Sequence, residues 1–105
     1  MDQSLISNLK DLVQFAESGI VSKQVATTPE AKYILFCLDK GQELSEHTAS
    51  VPAAIVILEG QADVKVGERA LDGVTGLFVH MPPNTPHSLL ARERLVFLLV
   101  MYQKG

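Results

Sequence analysis

Residues 41–60 read GQELSEHTASVPAAIVILEG, and residues 76–91 read GLFVHMPPNTPHSLLA. Each stretch begins with a glycine, contains histidine and carries a run rich in Val, Ile, Leu or Phe. Apolar residues of these types favour strands, whereas Gly, Pro and Asn favour the turns between them. Asn84 can adopt the left-handed backbone conformation that usually requires glycine. The two stretches therefore predict strands joined by tight turns, with His47 and His87 beside them.

The same texture continues through most of the chain. Runs rich in Val, Ile, Leu and Phe follow one another at intervals of about ten residues: IVSKQVA (20–26), KYILFCL (32–38), AAIVILEG (53–60), ADVKV (62–66), GLFVHM (76–81), HSLLA (87–91) and RLVFLLVMY (94–102). The predicted turns are DKG (39–41), EG (59–60), VGE (66–68) and LDG (71–73). Short strands at this spacing predict an all-β sandwich or barrel. No linker or repeat interrupts it, so we expect one domain over residues 1–105.

The first nineteen residues show a different periodicity. Apolar residues recur there at three- and four-residue steps, at Leu5, Leu9, Leu12, Val13 and Ala16. Ser4 or Ser7 is available as the N-cap, and Gly19 as the residue that ends the helix. This pattern predicts a short helical segment within residues 1–19.

Composition excludes several classes of partner. The chain has 105 residues, 47% of them hydrophobic, and a net charge of −3 without any run of Lys or Arg. Nucleic acids and acidic membranes attract strongly basic surfaces, so neither is an expected partner. The start, MDQSLISNLK, lacks a basic stretch followed by an apolar one, and the apolar run LVFLLVMY at 95–102 is shorter than the roughly 20 residues that span a bilayer. We therefore expect a soluble, cytoplasmic protein.

A single cysteine, Cys37, cannot form an internal disulfide, which fits a reducing compartment. The sequence shows no neighbouring Cys and no clear His partner that would activate its thiol. We interpret Cys37 as a small core residue rather than as a catalytic nucleophile.

The last apolar run does not alternate between polar and apolar residues. Because residues 95–101 are all apolar, both faces of this strand must be covered. One face can point into a barrel, and the other then needs either the N-terminal helical segment or a second subunit. We predict a homodimer with β-rich contacts, and coverage by the helical segment alone is the alternative.

The two quoted stretches resemble the motifs of the cupins, a family of small jelly-roll barrels. The first cupin motif runs glycine, five residues, His-x-His, three or four residues, Glu, six residues, glycine. The residues that fall on these positions without a gap are Gly41, His47, Ala49, Ala53 and Gly60.

The second motif runs glycine, five residues, Pro-x-Gly, two residues, His, three residues, Asn. The corresponding residues are Gly76, Pro82, Asn84, His87 and Ala91. The motifs and the loop between them cover residues 41–91. The EH pair, the apolar LEG strand and the MP-x-N-x-PH pattern are similar to those of small single-domain bacterial cupins.

The resemblance implies an all-β jelly roll, or double-stranded β-helix, in which the four ligand positions surround one divalent ion. Residues two apart on a strand point to the same side about 6.6 Å apart, so a His-x-His pair projects both rings into the barrel. In this chain Ala49 and Ala53 replace one histidine and the carboxylate, leaving His47 and His87. Alanine coordinates nothing, so the inherited ligand set is incomplete.

Other side chains could complete the shell. Glu46 neighbours His47 and points to the opposite face of a regular strand, unless a bulge turns it inward. His80 lies on the strand that leads to the second motif, but this strand is apolar on both faces, so its direction stays open. If His80 points inward, His47, His80 and His87 form a site suited to zinc, nickel, iron, manganese or copper.

Three functions are compatible with this pattern. The first is a small cupin barrel that binds a small organic molecule in its cavity, with a partial divalent-metal site at His47 and His87; the two alanines would make that cavity more apolar and roomier. The second is a metal-dependent oxygenase or isomerase that uses a rebuilt site, with His80 as a third ligand or a proton carrier. The third is a sensing or interaction module without chemistry.

Overall fold

A computed structural model describes residues 2–103, which form nine strands and one turn of 3-10 helix. The 3-10 turn spans Leu9–Leu12, and the strands are β1 (Ile20–Thr27), β2 (Ala31–Leu38), β3 (Glu43–His47), β4 (Ala53–Glu59), β5 (Gln61–Val66), β6 (Arg69–Val74), β7 (Phe78–Met81), β8 (His87–Ala91) and β9 (Leu95–Tyr102). Every pair of neighbouring strands is antiparallel. The prediction of an all-β fold is confirmed.

The strands form two sheets, which pack face to face as a jelly roll. One sheet has five strands in the order β1-β2-β9-β4-β7, and the other has four in the order β3-β8-β5-β6. We call the face that each sheet turns toward the other its inner face. The inner faces bury a continuous apolar core that contains Ile55, Ile57, Leu89 and Phe97. Phe97 also stacks on Phe36, with ring centroids 4.9 Å apart.

One predicted turn is part of a strand instead. The residues LDG at 71–73 lie within β6, which pairs with β5 along its whole length. Gly73 faces the core, and a Cβ atom added there would lie 2.7 Å from a methyl carbon of Val64. This glycine is therefore required by close packing between neighbouring side chains rather than by a turn.

The helical segment predicted within residues 1–19 is limited to a single 3-10 turn. Only Leu9–Leu12 is helical, with the Asn8 side chain accepting a hydrogen bond from the Lys10 backbone N–H. The segment instead crosses the outer face of the five-stranded sheet, where Leu12, Val13 and Phe15 pack on a second buried cluster. A helix this short is marginal by itself, and contacts spread across several strands favour the extended path. Within residues 2–103 no helix is long and apolar enough to cross a membrane.

A polar cluster fastens the end of this segment to the barrel. The Asp39 carboxylate accepts hydrogen bonds from the Ser18 backbone N–H at 2.8 Å and from Arg94 Nε at 3.1 Å. The bond from Ser18, the pairing with Arg94 and a further bond from the Lys40 N–H lower the pKa of Asp39. The Arg94 guanidinium also lies 4.8 Å from the centre of the Phe15 ring. The N-terminal segment is thus held by charge as well as by apolar packing.

The N-terminal segment covers only part of the outer face of β9. Val96 is 1% exposed and packs in the cluster that includes Leu12 and Val13. Farther along the same face, Leu98 and Val100 are only partly buried. The N-terminal segment therefore protects one half of β9 and leaves the other half accessible. Coverage by this segment and coverage by a second subunit are compatible with each other.

Substituting Gly60 by alanine tests how closely the turn after β4 approaches the start of β9. Gly60 has a φ of +95°, and an added Cβ would lie 2.9 Å from the carbonyl carbon of Arg94 and clash with that carbonyl group. Gly41 is the matched control, since its φ is +86° and nothing lies within 4 Å of an added Cβ. We expect Gly41→Ala to lower the free energy of unfolding by about 1 kcal/mol through backbone strain, and Gly60→Ala by about 3 kcal/mol. Urea unfolding measures both, and equal losses would contradict the steric argument.

Candidate functional site at the end of the barrel

An extra residue in β3 directs His47 toward the barrel interior. β3 pairs with β8 at Leu44 with Leu89 and again at His47 with His87, so two residues of β3 stand opposite Ser88 alone. Such a β-bulge shifts the alternation of side chains by one position. Leu44 packs on the core, and His47 faces the same interior although it lies three residues farther on.

The two histidines lie side by side at one end of the barrel. Their ring centroids are 4.2 Å apart, with the ring planes inclined by 57°. His87 is 5% exposed, and it is the one polar side chain among the fully buried residues of the described chain. His47 is exposed. The pair therefore extends from the buried core to the solvent-exposed surface. We call this region the histidine end of the barrel.

Each imidazole is oriented by a hydrogen bond to its own strand or the preceding loop. His47 Nδ1 lies 2.8 Å from the Ser45 carbonyl oxygen, and His87 Nδ1 lies 2.9 Å from the Thr85 carbonyl oxygen. Because a carbonyl oxygen only accepts, Nδ1 is the donor in both rings. In the neutral rings, Nε2 therefore keeps a lone pair that can accept a hydrogen bond or bind a metal ion.

The Nε2 atom of His87 is reachable although the residue is buried. The ring makes its hydrogen bond through Nδ1, and no bond to Nε2 is present. Among residues 2–103, no buried side-chain nitrogen or oxygen lacks a partner. Nε2 must therefore contact solvent, so the small exposed fraction of His87 includes the atom that can bind a ligand.

The two alanines at ligand positions have different surroundings. Ala49 follows the end of β3, and its carbonyl oxygen accepts a hydrogen bond of 2.7 Å from the Asn84 N–H. Asn84 has a φ of +66°, which confirms the left-handed conformation expected for it. Ala53 begins β4 and is 3% exposed, so it belongs to the core instead of lining an open cavity.

Two methionines flank Ala53 on the neighbouring strands. Ala53 pairs with Met81 of β7 on one side and with Met101 of β9 on the other. Met101 in turn pairs with Lys32 of β2. A cavity of about 410 Å³ at this end is lined in part by Lys32, Ser50 and Met101. Sequence reasoning missed Met81, Met101 and Lys32, because only strand register brings them beside the ligand position.

His80 does not join the other two histidines. It pairs with Ala54 of β4, whereas its neighbours Val79 and Met81 belong to the inner core. His80 therefore points to the outer face, where its ring centroid lies 6.3 Å from that of Tyr102. Phe78, which shares the outer face of this strand with His80, is apolar although it is 62% exposed, which is why periodicity left this direction open. The three-histidine site is not formed.

The side chains present do not fit the four-ligand metal site that the resemblance implies. Glu46 lies in the bulge of β3 and is exposed. Within residues 2–103, no group of three or more His, Cys, Asp or Glu side chains could hold a metal ion. Cys37 is buried on the opposite side of the five-stranded sheet, in the cluster beneath the N-terminal segment. His47 and His87 remain as two ligands of the inherited set.

Comparison with known proteins agrees with the fold. The family model described as the cupin domain matches residues 34–101, about two thirds of the chain. No curated protein is similar enough in sequence to match it.

Solved structures resemble the whole chain. A conserved protein of unknown function from Streptococcus pyogenes superimposes with a TM-score of 0.84 at 26% identity, covering 100% of this chain and 92% of that protein. An RmlC-like cupin from Desulfovibrio desulfuricans gives 0.82 at 26% identity, covering 92% and 94% of the two chains. A cupin superfamily protein from Desulfitobacterium hafniense gives 0.85 at 20% identity, over 99% and 95%, and this likeness concerns the fold alone.

The hydrogen bonds of the two imidazoles predict their tautomers. In the neutral form of both rings, we expect the proton of His47 and His87 on Nδ1 and a bare Nε2, because each Nδ1 faces a carbonyl oxygen. Long-range proton–nitrogen NMR correlations distinguish the two tautomers. His80, whose ring makes no such bond, is an internal reference. A protonated Nε2 in both rings would contradict the proposed orientation.

Proposed function

Because the chain belongs to the cupin family, we propose that it binds a small organic molecule at the histidine end of its barrel, with His47 and His87 as a partial site for a divalent metal ion. The observation that carries this proposal is the pair of adjacent imidazoles whose Nδ1 atoms are bonded to carbonyl oxygens. This arrangement leaves two Nε2 atoms oriented in advance for a ligand, so little side-chain entropy is lost on binding.

The surroundings of the pair suit a small, partly apolar ligand. The partly buried Met101 supplies apolar surface on the facing sheet beside the buried Ala53 and Met81, and Lys32 adds a cation at the same end. Binding sites for small molecules commonly combine apolar walls with a few fixed polar groups. A cavity lined in part by Lys32 and Met101 lies at this end of the barrel.

The partial metal site is expected to be weak. Two imidazoles fill only half of a tetrahedral shell, so water or ligand atoms would have to supply the remaining positions. A divalent ion would then bind more tightly in the presence of an organic ligand that contributes oxygen or nitrogen atoms.

Binding is favoured over the oxygenase or isomerase alternative by the position of His80. That alternative needs His80 as a third ligand or as a proton carrier, and the ring lies on the outer face of the sheet. A cytoplasmic location also remains a proposal, supported by the single cysteine, whose thiol is buried and unpaired.

Asparagine variants of the histidines test the proposed site. In His47→Asn and His87→Asn, the amide nitrogen can keep the hydrogen bond of Nδ1 to the carbonyl oxygen, while Nε2 is removed. A ligand present at 100 times its dissociation constant stabilises the fold by about 2.7 kcal/mol, which is on the order of 10 °C in a domain of this size. We expect a panel of organic acids, sugars and aromatic metabolites to include a ligand with such a shift, and the shift to disappear in both variants.

His80→Asn is the matched control, since it makes the same change on the outer face. It should keep the full thermal shift. Failure of every compound class to stabilise the protein, or equal shifts in all three variants, would contradict a ligand site at His47 and His87.

We also propose a homodimer formed through the uncovered part of the outer face. Val56 pairs with Phe78 on one side and with Leu98 on the other, and Val100 continues this apolar surface. Phe78 is 62% exposed. The residues of this patch carry no ionised side chain, so two copies can meet across a twofold axis without burying like charges.

Phe78→Glu should dissociate this dimer, because it would place two carboxylates in the interface. Sedimentation equilibrium should give twice the mass of the chain for the wild type and the mass of one chain for the variant. Val74→Glu is the control, since Val74 is 47% exposed but lies on β6 of the other sheet. A monomeric wild type, or a dimeric Phe78→Glu variant, would contradict the proposed interface.

A further inference from the structure

A cavity of about 670 Å³ lies on the outer face of the five-stranded sheet, between the 3-10 turn, the end of β4 and the start of β9. Val13, Leu58 and Val96 form apolar parts of its wall, and the side chains of Lys10 and Glu59 border it. Its volume falls within the range of small-molecule sites. The sheet separates this outer cavity from the barrel interior, so it is distinct from the histidine end.

The outer cavity exists because the N-terminal segment rests on the sheet through side chains. In the part of the chain that the structure describes, no backbone hydrogen bond joins residues 8–16 to a strand of the sheet. Hydrogen-bonded strands lie about 4.8 Å apart, whereas layers that meet through side chains lie about 10 Å apart. Leu12 and Val13 fill part of the wider gap by packing on the cluster that contains Val96. The space that they leave is the cavity.

A β-bulge at the end of β4 places an apolar side chain and a carboxylate together at the cavity. Val96 and Phe97 are neighbours on β9, but their partners on β4 lie two residues apart. The residue between those partners, Leu58, is therefore an extra residue. Such a bulge interrupts the alternation of side chains, and Leu58 and Glu59 both line the cavity.

A lysine borders the cavity from the N-terminal segment. The Asn8 side chain accepts a hydrogen bond of 3.1 Å from the Lys10 backbone N–H, which fixes the start of the 3-10 turn. Lys10 and Glu59 are both exposed, and among residues 2–103 neither belongs to an ion pair. The cavity is thus bordered by one cation and one anion that do not neutralise each other directly.

These two charges and the apolar wall select a class of ligand. A ligand with a carboxylate alone would be attracted by Lys10 and repelled by Glu59, and a ligand with an amine alone would meet the opposite conflict. A zwitterion satisfies both charges at once. An apolar group attached to the same carbon atom can then lie against the wall. The α-amino acids with apolar side chains combine these three groups in one small molecule.

We propose that the outer cavity binds a free α-amino acid with an apolar side chain, such as leucine. The carboxylate lies beside Lys10 and the ammonium group beside Glu59, while the side chain contacts the apolar wall. Exposed ion pairs contribute little, so burial of the apolar side chain supplies most of the affinity. We expect a dissociation constant on the order of 1 mM. This site goes beyond the function proposed for the histidine end.

Titration of isotope-labelled protein with L-leucine, followed by proton–nitrogen correlation spectra, tests the location of the site. We expect saturable shifts of the backbone amide signals of Lys10, Val13, Glu59 and Val96, and unchanged signals at His87. Glycine carries the same charged groups without the side chain, so it should bind at least about tenfold more weakly. Absence of saturable shifts at about twenty times the expected dissociation constant, or shifts centred on His87, would overturn the proposal.

Two altered ligands test the charged groups at about pH 6, where α-amino groups are protonated. N-acetyl-leucine lacks the ammonium group, and leucinamide lacks the carboxylate. Relative to leucine, each should bind the wild type at least about threefold more weakly. The penalty for acetylation should fall about threefold in Glu59→Gln and persist in Lys10→Gln, and the penalty for amidation should show the reverse pattern. These ratios cancel the effect of the added acetyl group on size.

Matched charge variants on the other sheet are the controls. Lys65→Gln on β5 and Glu68→Gln in the turn that follows remove the same charges at exposed positions away from the cavity. They should leave both penalties unchanged, and thermal melting checks that all four variants stay folded. Equal penalties in every variant would contradict contact between the ligand and Lys10 or Glu59. Tighter binding of leucinamide or N-acetyl-leucine than of leucine would assign the cavity to one end of a peptide and overturn the proposal for a free amino acid.

Discussion

The packing of two inner faces against each other determines the direction of nearly every side chain in this protein. Because side chains alternate along a strand, burial of Ile55 and Leu89 in the common core also decides where their neighbours point. In β8 the alternation brings His87 inside, and in β7 it sends His80 outside between the buried Val79 and Met81. The composition of the site is therefore a consequence of core packing.

The bulge in β3 is the one departure from this alternation that the site requires. In a regular strand, Leu44 and His47 would face opposite sides, because they are three residues apart. With the extra residue opposite Ser88, Leu44 stays in the core while His47 reaches the end of the barrel beside His87. The bulge thus allows the core to stay continuous while the two imidazoles lie side by side.

The histidine end of the barrel keeps the backbone arrangement of the cupin motif but lacks the carboxylate of that motif. Ala53 occupies the start of β4 with the register that the fold demands, but it contributes neither charge nor ligand atoms. Its cross-strand partners are Met81 and Met101, and Met101 pairs in turn with Lys32, so none of these neighbours carries negative charge. A divalent ion at this end would lack the carboxylate that offsets its charge.

Sequence determined the class of fold, the approximate strands, and the two histidines at the motif positions, because these depend on local composition and on fixed spacing along the chain. It also identified Asn84 as a left-handed residue. The remaining features needed tertiary structure. The N-terminal periodicity predicted a helix, but packing of Leu12, Val13 and Phe15 across several strands favours an extended path. The direction of His80 and the place of Met81 and Met101 around Ala53 depend on which residues of neighbouring strands pair, and register is fixed by contacts between residues far apart in sequence.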